Sequence, residues 1–404
     1  MAADPRPQIL TINTGSSSLK AGLYDADSNE TLNLNATVER IGQTGARLGV
    51  YGVGGVLLAD EELELPDHGA AMRALLGWLA RGGTDRSVAA IGHRVVHGGR
   101  AFGEPVAITD AVVAELRRLV PLAPNHLPQA LDAIAVATNA FPGLPQVACF
   151  DTAFHRTLPR VARLYPLPRR FEAEGVVRYG FHGLSYESVI SQLATVDPAA
   201  VSGRLVIAHL GNGASMVALR GGISVETTMG FTPSGGLMMG TRTGDLDPGV
   251  LLFLQREHGL GPSALGDLVN HDGGLRGVSG GSGDMRDLLA RETSDPRAAE
   301  AVALFCYLAK KAIGGLAAVL GGLDGLVFTG GIGEHAAPVR ERICADLRFL
   351  GVRLDPARNR VDEAVISEEG GPTVVRIVRT DEDRMIARHT ARLLREEGAS
   401  DVPL

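Results

Sequence analysis

Ile9-Leu10-Thr11-Ile12-Asn13-Thr14-Gly15-Ser16-Ser17-Ser18-Leu19-Lys20-Ala21-Gly22-Leu23-Tyr24 reads as an apolar run, a turn of glycine and hydroxyl residues, and a second apolar run. The plan returns at Val206-Ile207-Ala208-His209-Leu210-Gly211-Asn212-Gly213-Ala214-Ser215-Met216-Val217-Ala218-Leu219. Each stretch predicts strand, polar glycine turn, strand, and the repetition points to two halves of one design. Two domains of like topology facing each other would set both turns on opposite sides of one cleft, a natural place for a nucleotide and its acceptor. Two ordinary hairpins are the plainer reading.

Working outward, strand-like runs at Ala90 to Val96, Gln146 to Phe150, Gly325 to Thr329 and Thr373 to Val378 alternate with helix-like ones, which means α/β. Helices are expected over Asp110 to Leu119, with Asp110 as N-cap, and over Glu382 to Glu397, with Asp381 as N-cap and Gly398 just past the end. The glycine-dense stretch Gly230 to Gly283 reads as loop, and loops of that length tend to be functional or mobile. Ala298 to Leu320 is the most apolar helix candidate, but Lys310 and Lys311 interrupt it, so a buried helix is expected rather than a membrane span.

The 404 residues suffice for two domains of roughly 150 to 200 residues, each with its own core. A formal charge of −7 argues against nucleic acid and anionic membranes as partners. Cys149, Cys306 and Cys344 stand far apart without paired spacing, so neither a disulfide framework nor a thiolate zinc site is suggested. Met1 to Pro7 runs into a strand without the apolar stretch of a secretory signal, and a cytoplasmic location is expected.

Several strings carry chemistry. Asn13 to Lys20 could present backbone N–H groups, hydroxyls and the Lys20 charge to phosphate, or could be a plain hairpin turn. It is not a Walker A loop, which needs lysine directly after glycine and a helix behind it. In Gly92-His93-Arg94-Val95-Val96-His97-Gly98-Gly99 the Arg94 guanidinium suits a carboxylate or phosphate, and the histidines read as structural. Asp151, closing the run Gln146 to Phe150, could orient a nucleophile or hold magnesium-bound water, or could cap the next turn. Tyr179-Gly180-Phe181-His182-Gly183 and His209 to Gly213 let a ligand approach the backbone. In Met229 to Asp247, Arg242 is the working charge, and Thr329-Gly330-Gly331-Ile332-Gly333-Glu334 is a glycine turn suited to a nucleotide.

Together, and in this order, these strings resemble the acetate kinase family, a branch of the superfamily of actin, hexokinase and the heat-shock ATPases, from about Ile9 to Arg388. The resemblance implies two domains of duplicated actin/hexokinase-like (ribonuclease H-like) fold with a cleft between them. They would be an acyl-kinase domain at 1–150, completed by a C-terminal helix over about 385–404, and a nucleotide-binding domain at 151–384. It implies transfer of the γ-phosphoryl group of ATP to acetate, with Mg²⁺ as cofactor, Mn²⁺ as its substitute, and a cytoplasmic homodimer. By motif position, Arg94 and Arg242 are similar to the family's arginines that grip acyl and phosphoryl groups, Asp151 to its essential acid, and His182 to its transition-state donor. Asn13 and Glu382 match the magnesium positions. Lys20, His209, Leu210, Gly211, Asn212, Gly213, Asp284, Met285, Arg286, Gly331, Ile332, Gly333, Glu334 and His335 match ATP contacts. Val96, Phe181 and Pro233 match walls of the acyl pocket.

The chain also departs from the family pattern. Asn125 stands at a pocket-wall leucine, Leu184 and Tyr186 at a usual threonine and histidine, Ser234-Gly235 at a usual Leu-Glu, and His335 at an adenine-pocket asparagine. These bear on acyl-chain and nucleotide preference, and one methylene of discrimination is worth only ~1 to 3 kcal/mol. A propionate or butyrate kinase is therefore the alternative within the class. A non-catalytic nucleotide binder is the alternative outside it, opposed by the joint presence of Arg94, Asp151, His182, Arg242 and Glu382.

Overall fold

The computed structural model describes residues 6–27, 30–82 and 84–400. Residues 1–5, part of the segment in which no leader was read, and 401–404 of the expected C-terminal helix lie outside them. The chain forms two compact units, Met1–Phe154 with Asp381–Leu404, and His155–Thr380. The breaks fall after 154 and 380 rather than after 150 and 384. The Asp151 N–H donates to the Val95 carbonyl (3.1 Å), and the helix opened by Glu382 packs on the first sheet. Both residues therefore belong to the first unit.

The first unit is built on one sheet of β1 (Gln8–Thr14), β2 (Ser18–Asp25), β3 (Leu32–Glu39), β4 (Ala46–Gly52), β5 (Leu57–Leu63), β6 (Val88–Val95), β7 (Val106–Ala107) and β8 (Gln146–Phe150). Its order is β5-β4-β3-β2-β1-β6-β8-β7, with β1, β6 and β8 parallel. Side chains alternate across the sheet. Leu10 and Ile12 enter the core under helices His68–Arg81 and Leu127–Ala140, where Met72, Leu75, Leu79, Ala133 and Ala137 meet them. Ile9 points the other way and joins Tyr24, Ala387 and Ala391 beneath the helix Glu382–Ser400. Asn13 shares the parity of Ile9. On β6, Gly92 faces the same helix, so Arg94, two residues on, does too. Gly92 sets how closely the helix approaches: a Cβ there would lie 2.4 Å from Thr390 Oγ1 and 2.5 Å from Ile386 Cγ2.

The second unit carries β9 (Arg204–Leu210), β10 (Ala214–Arg220), β11 (Ile223–Thr227), β12 (Gly325–Thr329) and β13 (Val374–Ile377) in the order β11-β10-β9-β12-β13. The pairing of β11, β10 and β9 is antiparallel, and that of β9, β12 and β13 is parallel. This reproduces β3-β2-β1-β6-β8 strand for strand, so the repeat in the sequence is a repeat in the fold. The helix Pro296–Leu320, capped by Asp295, lays Ala301, Phe305, Ala309, Ile313 and Leu316 against this unit's core. It is buried on one face only, for Leu304, Tyr307 and Val319 are exposed.

Three local expectations change. Thr109, not Asp110, caps the helix Asp110–Leu119, its side chain accepting from the Val112 N–H (3.3 Å). The last helix runs to Ser400, so Gly398 lies within it; an interior glycine costs a helix only about 1 kcal/mol, and a glycine is a weak stop. The stretch Gly230 to Gly283 is not all loop, since helices Pro248–His258, Pro262–Asp267 and Gly274–Ser279 lie in it. Glycines stop the first and last of these helices, at Gly259 and Gly280, and break the run of periodicity that would show them.

Gly92→Ala should push the C-terminal helix off β6 and lower stability by about 1–3 kcal/mol, as overpacking does. Urea unfolding of the variant measures this, and an unchanged midpoint would mean that the helix yields freely.

Candidate functional site

In the first unit, the parity of β1 and β6 and the first turn of the last helix bring Asn13, Arg94, Asp151 and Glu382 together. Arg94 makes a forked contact with Asp151, Nε to Oδ1 at 3.0 Å and Nη2 to Oδ2 at 2.6 Å. Its Nη1 donates to Asn13 Oδ1 (3.0 Å) and lies 3.6 Å from Glu382 Oε2. Asn13 Nδ2 in turn donates to Glu382 Oε2 (3.1 Å). Arg94 is 15% exposed and Asp151 1%, so little water screens the pair. Burial works against the guanidinium charge, yet Asp151 and Glu382 together raise its pKa above the ordinary value.

Lys20 pairs with Asn13 across β1 and β2, which puts it beside this cluster. The sequence reading passed over Asp383, although the run Asp381-Glu382-Asp383 signals it. Burial first, then the neighbouring Glu382, push its carboxyl up to about 6, with Lys20 opposing. Its Oδ1 is buried without a hydrogen-bond partner. Among the described residues no three His, Cys, Asp or Glu side chains form a metal cage. The donors here are the oxygens of Asn13 and of carboxylates, a set that suits a hard cation taking its remaining ligands from phosphate and water.

The two histidines of the Arg94 string are structural. His93 Nε2 bonds Gln146 Oε1 (2.8 Å), and burial lowers its pKa to about 4. His97 Nδ1 accepts from the Gly99 N–H (2.9 Å). Of the expected acyl-pocket positions in this unit, Val96 is buried and Asn125 half-buried in the turn before helix Leu127–Ala140.

In the second unit, His182 precedes helix Gly183–Val196 with φ 59°, a left-handed conformation uncommon outside glycine and frequent where function imposes strain. Its Nδ1 meets Ser215 Oγ at 2.8 Å, and Ser215 Oγ also meets the Tyr186 hydroxyl. The ring stacks on His209 with centroids 4.2 Å apart, and Ser185 Oγ holds His209 Nδ1 at 2.8 Å. At Gly213 a Cβ would stand 3.2 Å from His182 Nε2 and 3.7 Å from Arg242 Nη1. Two nitrogens of the predicted set thus converge on a place kept open by a missing side chain.

Arg242 is anchored by Nη1 donating to the Pro233 carbonyl (3.2 Å). Its loop is locked by Gly274 at φ 63°, where a Cβ would strike the Met239 carbonyl at 2.2 Å. Phe181 is buried in this unit, its carbonyl 3.0 Å from His155 Nε2.

Beside these residues lies a cavity of about 620 Å³. Of the expected ATP contacts it gathers Gly211, Asn212, Asp284, Met285, Arg286, Gly331, Ile332 and His335. Lys20 belongs to the other unit, and Leu210 is wholly buried behind the turn. His209, Gly213 and Gly333 do not line the cavity. Glu334 turns one carboxylate oxygen inward, Oε1 accepting from the N–H groups of Gly330 (2.9 Å) and Thr380 (3.2 Å), so it braces the turn. Gly283, Leu289, Ala336 and Pro338 complete the wall and were not anticipated. Leu289 follows Met285 by one helical turn, a spacing that could have revealed it.

A duplicated α/β plan of this kind, with an arginine and acid cluster in one unit and a glycine-walled cavity in the other, is that of the actin/hexokinase-like phosphotransferases. The chain belongs to the acetokinase family, whose model it matches over residues 8–388. It is 45% identical to an acetate kinase of Methylocella silvestris, over 97% of this chain and 99% of that protein. It is 44% identical to a propionate kinase of Citrobacter rodentium, over 96% of each. Its structure is similar to the crystal structure of Porphyromonas gingivalis acetate kinase, with a TM-score of 0.86, 37% identity, and coverage of 96% of this chain and 100% of that one.

Proposed function

We propose that this chain transfers the γ-phosphoryl group of ATP reversibly to acetate, giving acetyl phosphate and ADP by direct in-line transfer. The observation that carries the reading is the convergence of His182 Nε2 and Arg242 Nη1 on the open position at Gly213. Family membership supports the phosphotransfer class. A carboxylate is already a nucleophile, so the protein has no proton to remove and catalysis reduces to alignment and charge stabilisation. One acetate oxygen attacks the γ-phosphorus, and as that bond forms the bond from phosphorus to the β,γ-bridging oxygen breaks, its electron pair leaving on the oxygen of ADP.

In this reading Arg94, poised by Asp151, holds the acyl and phosphoryl groups. Arg242 and His182 donate to the oxygens on which charge develops, with Val96, Phe181, Pro233 and Asn125 lining the acyl group. The glycine-walled cavity takes the nucleotide. The oxygens of Asn13 and Glu382, with unpartnered Asp383 Oδ1 beside them, would hold Mg²⁺ or Mn²⁺. When bound, that ion offsets phosphate charge. The family reading carries with it a cytoplasmic homodimer, and the formal charge of −7 favours neither nucleic acid nor an anionic membrane as partner. Propionate is the second reading, favoured by half-buried Asn125 at a pocket-wall position and by the comparable identity to a propionate kinase.

Acyl phosphate trapped as hydroxamate, with Mg-ATP and formate, acetate, propionate or butyrate, should show highest kcat/KM for acetate. Preference for a longer acid would move the substrate and keep the mechanism, and no turnover on any acid would leave a nucleotide binder. Arg242→Ala should lower kcat by ~10³-fold with the fold intact, the scale of an arginine acting on a transferring phosphoryl group. Steady-state kinetics reads it, and an unchanged kcat removes Arg242 from the mechanism.

A further inference from the structure

We infer that Tyr186 and Ser215 form a relay that fixes the tautomer of His182, so that Nδ1 accepts and Nε2 carries the proton aimed at the transferring phosphoryl group. The inference rests on the reading of His182 as a donor in phosphotransfer. It assigns positioning roles to Tyr186, which departs from the family's usual histidine, and to Ser215.

Tyr186 lies four residues after His182, one helical turn on, and its N–H donates to the His182 carbonyl (3.1 Å). Tyr186 and Ser215 are both wholly buried. Ser215 Oγ stands between the Tyr186 hydroxyl and His182 Nδ1, the latter at 2.8 Å. A serine hydroxyl has one proton to give. Of the two groups it faces, the phenol is the more acidic and so the better donor, while an imidazole nitrogen is the better acceptor. The chain therefore runs from the Tyr186 O–H to Ser215 Oγ, and from the Ser215 O–H to His182 Nδ1.

The partner of one imidazole nitrogen decides the state of the other. With Nδ1 accepting, a neutral His182 carries its proton on Nε2, the nitrogen 3.2 Å from the open position at Gly213. The reverse order would turn a lone pair toward an anionic oxygen. The stack on His209, itself held by Ser185, limits rotation of the ring out of this alignment. Bonds in such a chain polarise one another in a dry interior.

The test pairs ¹⁵N NMR of the histidine rings in the nucleotide-free protein with kinetics of Tyr186→Phe, Ser215→Ala and Tyr186→His. In the wild type, Nδ1 of His182 should give the signal of an unprotonated, accepting nitrogen and Nε2 that of a protonated one. Tyr186→Phe and Ser215→Ala should shift both signals toward a mixture of tautomers and lower kcat about 10-fold at nearly constant KM. That is less than the ~10²–10³-fold cost of deleting a transition-state donor outright. Tyr186→His, which restores a donor, should recover part of the loss. A protonated Nδ1 in the wild type overturns the relay, as does Tyr186→Phe with unchanged ring signals and kcat. His182→Ala with wild-type turnover would overturn the underlying reading of His182 instead, and the substrate-free spectra tell the two failures apart.

Discussion

The first unit depends on a buried ion pair, the forked contact of Arg94 with Asp151. Taking two charges out of water costs several kcal/mol each, and their attraction returns this only when geometry is good and the remaining donors are satisfied. Here Asn13 and Glu382 take the third guanidinium nitrogen, and Asn13 is itself tied to Glu382. The four side chains come from two parallel strands, the residue after a third, and the start of a helix some 230 residues further along the chain. A contact so dependent on convergence tells against a purely structural role, because apolar side chains would fill the same space more cheaply.

The sheet explains how one chain makes two kinds of site. Each unit repeats an antiparallel three-strand meander followed by two parallel strands, and each places its first hairpin turn next to polar residues. In the first unit the end of β1, just before the turn, carries Asn13 opposite Lys20, and charge collects there. In the second, the turn after β9 is Gly211-Asn212-Gly213, and the lack of side chains leaves room for a ligand beside His182 and Arg242. The same backbone geometry, given different residues, yields a charged grip in one unit and an open pocket in the other.

Much of this was legible in the sequence. The repeated strand-turn-strand pattern foretold the duplicated plan, and Arg94 and Asp151 were visible because each stands at the carboxyl end of a strand, while Glu382 was visible only through the family resemblance. The meander β3 to β5 was not: its last strand β5 is an edge strand that only half-buries one face, Ala59 and Leu63 packing on the core while charged Glu61 lies between them on the same face, so the apolar alternation is weak. Ser215 escaped notice because it sits inside an apolar strand, where only the fold reveals that its hydroxyl meets His182 and Tyr186. The bracing role of Glu334 was hidden for the converse reason: nothing in a glycine-rich string shows that the turn's own N–H groups claim a carboxylate oxygen.

The proposed chemistry turns on a single displacement, since every polar group gathered here stabilises charge or aligns the reacting atoms. Transfer of a γ-phosphoryl group made chiral with oxygen isotopes, from ATP to acetate, tests that claim most directly. Direct in-line transfer predicts inversion of configuration at phosphorus. Retention would mean that the phosphoryl group passes through an intermediate on the protein, and would contradict the account.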